Sequence, residues 1–197
     1  MENPKGLPDI RIITISGRIA SGATTLAKHL AQTLKWKHVE GGDVFWEEVR
    51  KKMELSPKDT HLRPDTEDKI FDEQLIKTLK EEKQIVLETK LAAFNAQGIT
   101  GVFKILAVCD DKNEGDQTDV RVDRLVNREG VTVEEAKKEI LEREKNDLEK
   151  WRRMYAKDDH SWVYWDKKYY DLVVNTFNHS PEETLEIALK GIGYKSA

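Results

Sequence analysis

The chain has 197 residues, 38% hydrophobic and 36% charged, with a formal net charge of -4. That length and apolar content fit one compact domain with a real core and richly charged helix surfaces. The mild acidity argues against a dedicated nucleic-acid surface, no apolar run is long enough to span a bilayer, and MENPKGLPDI lacks a signal-peptide core. A cytoplasmic protein with neither nucleic-acid nor membrane partners is therefore expected.

Short apolar runs alternate with longer helical patterns, the signature of a parallel sheet wrapped by helices. The first strand is expected over Arg11–Ser16, followed by a helix at Thr24–Leu34, a strand at Lys37–Glu40 and a helix at Val44–Met53. Leu55–Pro64 carries two prolines and reads as a loop outside the sheet. A helix at Asp65–Glu82 and strands at Gln84–Glu88 and Phe103–Cys109 come next. The strands are apolar or β-branched nearly throughout, as suits a sheet covered on both faces. Cys109 is the lone cysteine, which excludes an intramolecular disulfide, and its run FKILAVC makes it a core thiol rather than a nucleophile. Asp110–Asp119, DDKNEGDQTD, reads as a polar surface loop. Helices follow at Gln117–Arg128 and, without a break, at Val133–Tyr155; a strand at Asp171–Asn175 and a helix at Pro181–Lys190 complete the chain. Thr132 with Glu135, and Ser180 with Glu183, are spaced as capping boxes.

Between the first strand and its helix, the run from Gly17 to Thr24 fits G-x-x-x-x-G-K-[ST] except that Ala23 stands in the lysine position. Successive backbone N–H groups in such a turn form an anion nest, and the helix start adds its dipole; neither needs a lysine. Thr24 stands where a hydroxyl would bind Mg²⁺. Charge on a bound phosphate must then be met elsewhere. Arg18 is one candidate. Arg121, Arg124 and Arg128 form another set, spaced to line one helix face, with Arg143, Arg152 and Arg153 beyond. The same arginines also read as a solvated face paired with Glu129, Glu139, Glu142 and Glu144. The aromatics of DDHSWVYWDKKYY read as core or dimer packing, or as the border of a base.

Four stretches together resemble the nucleoside-monophosphate kinases of the P-loop class, and in particular the archaeal-type cytidylate kinases. They are ITISGRIASGATTLAKHLAQTLKWKHVEGGDVF, IVLETKLAAF, VRVDRLVNREGVTVEEAKKEILERE and YYDLVVNTFNHSPEE. The resemblance implies a three-layer α/β/α P-loop domain over 1–197 with a five-stranded parallel sheet. It further implies a helical monophosphate-binding insertion near 41–82 and a helical lid near 121–158. It implies ATP and Mg²⁺ as cofactors and phosphorylation of a nucleoside monophosphate, CMP or dCMP, by a monomer or homodimer. Gly17, Arg18, Ile19, Ala20, Ser21, Gly22, Ala23, Thr24 and Thr25 would hold the ATP phosphates. Thr24 would bind Mg²⁺ and Glu88 would orient metal-bound water. Gly42, Asp43 and Lys90 would meet the acceptor, and Arg124, Arg128 and Arg143 would surround the transferring phosphoryl group as catalytic residues.

Several positions depart from the pattern that the resemblance supplies. The family's archaeal-type members commonly carry threonine, not lysine, at the position of Ala23. Trp46 replaces an arginine that clamps the acceptor phosphate, with Arg50 or Arg63 as possible substitutes. Thr89-Lys90 replaces Gly-Arg, and Lys150-Trp151 replaces a lid arginine and tyrosine. Lysine keeps the charge but loses bidentate geometry. Three readings follow: an active nucleoside-monophosphate kinase, a nucleotide-binding protein that no longer catalyses, or a P-loop kinase with another small-molecule acceptor.

Overall fold

The computed structural model describes residues 7, 9–41 and 63–195. The expected helix at Val44–Met53 lies outside them, as do most of the Leu55–Pro64 loop and the candidate positions Gly42, Asp43, Trp46 and Arg50.

Five parallel strands form one sheet in the order β2-β3-β1-β4-β5. They are β1 (Ile12–Gly17), β2 (Lys37–Glu40), β3 (Ile85–Glu88), β4 (Val102–Val108) and β5 (Leu172–Asn175). Each expected strand is present, shifted by at most one residue. Gln84, for example, takes a left-handed φ of 57° ahead of β3. The alternation of β1 explains the layers. Ile13 and Ile15 face helix α1 (Ala23–Leu34) and the C-terminal helix, whose Ala188 closes that core. Ile12 faces the other way, against Phe71, Leu75 and Leu79 of α2 (Asp65–Glu81). The result is a three-layer α/β/α fold. Because β1 lies between β3 and β4, the chain reverses its direction of travel across the sheet there. The crevice beyond the carboxyl end of β1 is where ligands bind in open sheets of this kind.

Two short elements were not expected: α3 (Ala92–Asn95) and a 3₁₀ turn at Lys167–Tyr169. The helix α4 (Thr118–Glu129) ends on Gly130. The expected continuous helix from Val133 is instead α5 (Val133–Lys138), one π turn over Glu139–Arg143, and α6 (Glu144–Tyr155). Ala136, Ile140 and Glu144 are all buried. Steps of four residues overshoot a helical turn by ~40° each, and the wider π turn absorbs that drift so that all three face inward. The last helix, α7 (Pro181–Gly191), opens on the expected capping box of Ser180 and Glu183. The Asp110–Asp119 loop is not a loose surface segment: Asp111 Oδ1 accepts from the N–H groups of Asn113 and Gly115, and Asp116 reaches back to Arg18 and Arg121.

Candidate active site

The loop Gly17–Thr25 is shaped by steric limits and by ties to other elements. A Cβ on Gly17 would stand 2.8 Å from the Ala107 carbonyl oxygen. Gly22 has φ 95° and lies against Thr176, so any side chain there is doubly disfavoured. Ala20, at φ 60°, also turns left-handed, and such reversals aim successive N–H groups into one concavity. The first helical bond of α1 runs from the Leu26 N–H to the Gly22 oxygen at 3.1 Å, leaving the N–H groups of Ala23, Thr24 and Thr25 ahead of it. These groups open onto a cleft of about 1010 Å³ that the whole loop lines.

The base of the loop is held by a carboxylate expected only as a partner of solvated arginines. Glu144, 4% exposed at the start of α6, accepts from the Ile19 N–H at 2.9 Å and from Arg18 Nε at 3.1 Å. It also accepts from Arg121 Nη1 at 2.9 Å, and the same Arg121 nitrogen donates to the Ile19 oxygen at 2.8 Å. Arg121 is fully buried, with Asp116 as its second carboxylate partner. The expected arginine face of α4 is therefore divided: Arg121 is a structural strut, whereas Arg124 and Arg128 line the cleft. Arg124 donates to Thr176 Oγ1 at 2.8 Å and to the Thr176 oxygen at 2.7 Å. Arg128 pairs with Glu129 at the exposed rim. Arg18 lines the cleft, but its charge is already committed: it pairs with Glu144 and Asp116 and lies 4.6 Å over the Trp165 ring.

Thr24 Oγ1 donates to Glu88 Oε1 at 2.5 Å, joining the start of α1 to the end of β3. Burial, offset in part by that bond and worsened by Glu40, pushes the Glu88 carboxyl up to about 7. Glu88 Oε2 is buried and accepts no hydrogen bond from the described residues, with His38 Nε2 3.4 Å away. A hydroxyl and a carboxylate are hard oxygen donors suited to Mg²⁺, and the spare oxygen gives the pair capacity to hold one. The described residues contain no cluster of three or more His, Cys, Asp or Glu side chains for a metal. A magnesium here would thus draw most of its ligands from water and from the phosphates it accompanies.

Lys90 and Arg143 form another cationic part of the cleft wall. Lys90 Nζ pairs with Asp147 at 2.7 Å, and Arg143 bonds Glu139 and stands 4.0 Å from Asp147. Burial alone would raise the Asp147 carboxyl, but Lys90 and then Arg143 outweigh it and hold it below the usual range. Lys150, expected in the place of a lid arginine, does not line the cleft. It is buried, pairs with Asp68 at 2.5 Å and donates to the Arg63 oxygen at 2.6 Å, tying α6 to the start of α2. Arg63 lines the cleft with its guanidinium on Asp68 at 2.6 Å. Trp162 and Tyr164 are core, packing edge-on against Phe94 and Trp151 at 5.5 Å each. Cys109 is likewise buried, and burial raises its thiol.

A family model described as an AAA domain matches residues 16–161. A cytidylate kinase of Methanopyrus kandleri is 35% identical over 181 residues, spanning 89% of this chain and 90% of the relative. One of Haloarcula marismortui is 32% identical over 184 residues, 92% and 88% of the two chains. The solved shikimate kinase of Acinetobacter baumannii superposes with a TM-score of 0.52 over 92% of this chain and 90% of its own; at 15% identity, that likeness concerns the fold alone. Sheet order and loop define a P-loop protein. The chain belongs to the nucleoside-monophosphate kinase family of that class, among the proteins of archaeal cytidylate kinase type.

Proposed function

We propose that this protein phosphorylates a nucleoside monophosphate at the expense of ATP, with CMP or dCMP as preferred acceptor. The observation that carries the reading is the Thr24–Glu88 pair, set under a loop of open N–H groups in the same cleft as Lys90, Arg124, Arg128 and Arg143. The relatives named cytidylate kinase support the choice of acceptor.

In this reading an oxygen of the acceptor phosphate attacks the γ-phosphorus of ATP. The new P–O bond forms in line with the one that breaks, and ADP leaves with the β–γ bridging oxygen. Such a transfer needs positioning and positive charge more than covalent help. The N–H groups from Gly22 to Thr25 hold the donor phosphates, and the α1 dipole adds to their field. Thr24 would bind Mg²⁺ and Glu88 would orient metal-bound water, and the ion would supply positive charge to the phosphate oxygens. Arg143 and Arg128 stabilise the charge spread over the transferring group, and Arg124 borders the donor at Thr176. Lys90 orients the acceptor phosphate, with Gly42 and Asp43 assigned to the same task. The lid helices exclude water, so that the acceptor competes with little hydrolysis.

The test is an ATP-Mg²⁺ phosphorylation panel over CMP, dCMP, UMP, AMP and GMP, with products identified by mass. A preference of at least about tenfold for the cytidine nucleotides, ~1.4 kcal/mol in the barrier, is expected. Turnover without that preference would overturn the acceptor assignment, and absence of any turnover would overturn the kinase reading.

A further inference from the structure

Ala23 leaves the phosphate loop without an ammonium of its own, and the cleft shows where one can come from. Among the described residues, six Lys and Arg side chains besides Lys28 line it, and each has a partner. Arg18 is held by Glu144 and Asp116, Arg63 by Asp68, Lys90 by Asp147 and Arg143 by Glu139. Arg124 is spent on Thr176, and Arg128 pairs at the rim with Glu129. Lys28 is exposed, lines the cleft, and has no hydrogen-bond or ion-pair partner among the described residues.

We propose that Lys28 supplies the donor polyphosphate with the ammonium that position 23 lacks; this rests on the reading of the loop as the donor site. Lys28 lies four residues beyond Thr24 on α1, so the two share a face. Helical side chains lean toward the N-terminus, which carries the Lys28 stem over the turn containing Thr24 and Thr25. Those two residues line the cleft beside Glu88, and the Lys28 charge favours the ionised form of that carboxylate. The ammonium therefore stands on the Glu88 side of the helix start, where the free N–H groups open. Ala23 is itself packed into the core with Leu26 and Ala27, so position 23 contributes burial in place of charge. A flexible four-carbon stem and three rotatable donors suit Lys28 to reach phosphate oxygens from the side.

The test compares Lys28→Ala, Lys28→Arg and the double variant Ala23→Lys/Lys28→Ala with the wild type. MgADP binding is read by calorimetry, and kcat/KM for ATP is read by product formation. Lys69→Ala, an exposed lysine on α2 that does not line the cleft, controls for net charge. Loss of one ammonium beside a polyphosphate is expected to weaken MgADP binding by at least about tenfold, with kcat/KM falling further. Lys28→Arg keeps most of the affinity, and the double variant returns to within about threefold of wild type because the charge re-enters from position 23. Melting without nucleotide should change little, since Lys28 is exposed and has no hydrogen-bond or ion-pair partner among the described residues. The proposal is overturned if Lys28→Ala binds within about threefold of wild type, or if the double variant remains more than about threefold below it. Wild-type turnover is read separately: its absence would remove the kinase reading, while the binding arm would still decide the role of Lys28.

Discussion

The Gly17–Thr25 loop and the wall that carries Lys90 and Arg143 hold their groups by different means. At the loop, the donors that open onto the cleft are backbone N–H groups, and the charged side chains nearby act behind them: Glu144 and Arg121 tie down both the N–H and the oxygen of Ile19. At the wall, the cleft-lining groups are the side-chain cations Lys90 and Arg143, paired with Asp147 and Glu139. A backbone site keeps its donors when a side chain is lost, so Ala23 leaves the N–H groups of the loop in place. A side-chain site does not: removing Lys90 takes its donor with it and leaves the buried Asp147 without its nearest partner.

Substitutions at the wall should therefore have the larger effects. Arg143→Ala should lower kcat by at least about a hundredfold, in line with catalytic arginines of phosphoryl transfer, with ATP affinity nearly unchanged. Steady-state kinetics beside nucleotide titration check this. A fall of only a few-fold would place Arg143 among surface charges and favour a protein that binds nucleotide without transfer.

Lys90→Met strips Asp147 of its nearest partner, and Asp147 is 3% exposed. Breaking a buried pair from one side should cost about 3 kcal/mol of stability, read by urea unfolding at neutral pH. Adding Asp147→Asn should recover most of that loss without restoring turnover. If the single variant is as stable as wild type, the wall is solvated and the contrast with the loop fails.

The contrast also explains what could be read from the chain alone. The strands, the capping boxes and the loop were legible because each depends on local pattern: apolar runs, a Ser or Thr three residues before Glu, glycines at fixed spacing. Glu144, Asp147 and Lys150 were not, because nothing local distinguishes a buried charged residue from a solvated one on the same helix. Their spacing with Ala136, Ile140 and Trp151 does trace a single face. The π turn that keeps this face aligned is set by packing and carries no residue signature. Arg121 and Arg124 differ by three positions on one helix face, yet only the neighbours each one meets separate strut from site.

A smaller effect probes the floor of the loop. Glu88 titrates at about 7 in the folded protein against 4.5 for an unperturbed glutamate. Between those values the folded state keeps a proton that the unfolded chain has released, so nucleotide-free stability should fall as pH rises from 4.5 to about 7. Glu88→Gln should remove that decline, as followed by melting across this range. An unchanged slope would mean that the carboxyl is better solvated than its burial implies.

The central claim is that donor and acceptor occupy the two sides of one cleft. Its most direct measurement is the affinity of adenosine and cytidine joined through five phosphates, compared with ATP and CMP measured singly. If both sides are formed as described, tethering makes the second contact intramolecular, and the bridged ligand should bind at least about a hundredfold more tightly than ATP. An affinity no better than that of ATP would contradict the account.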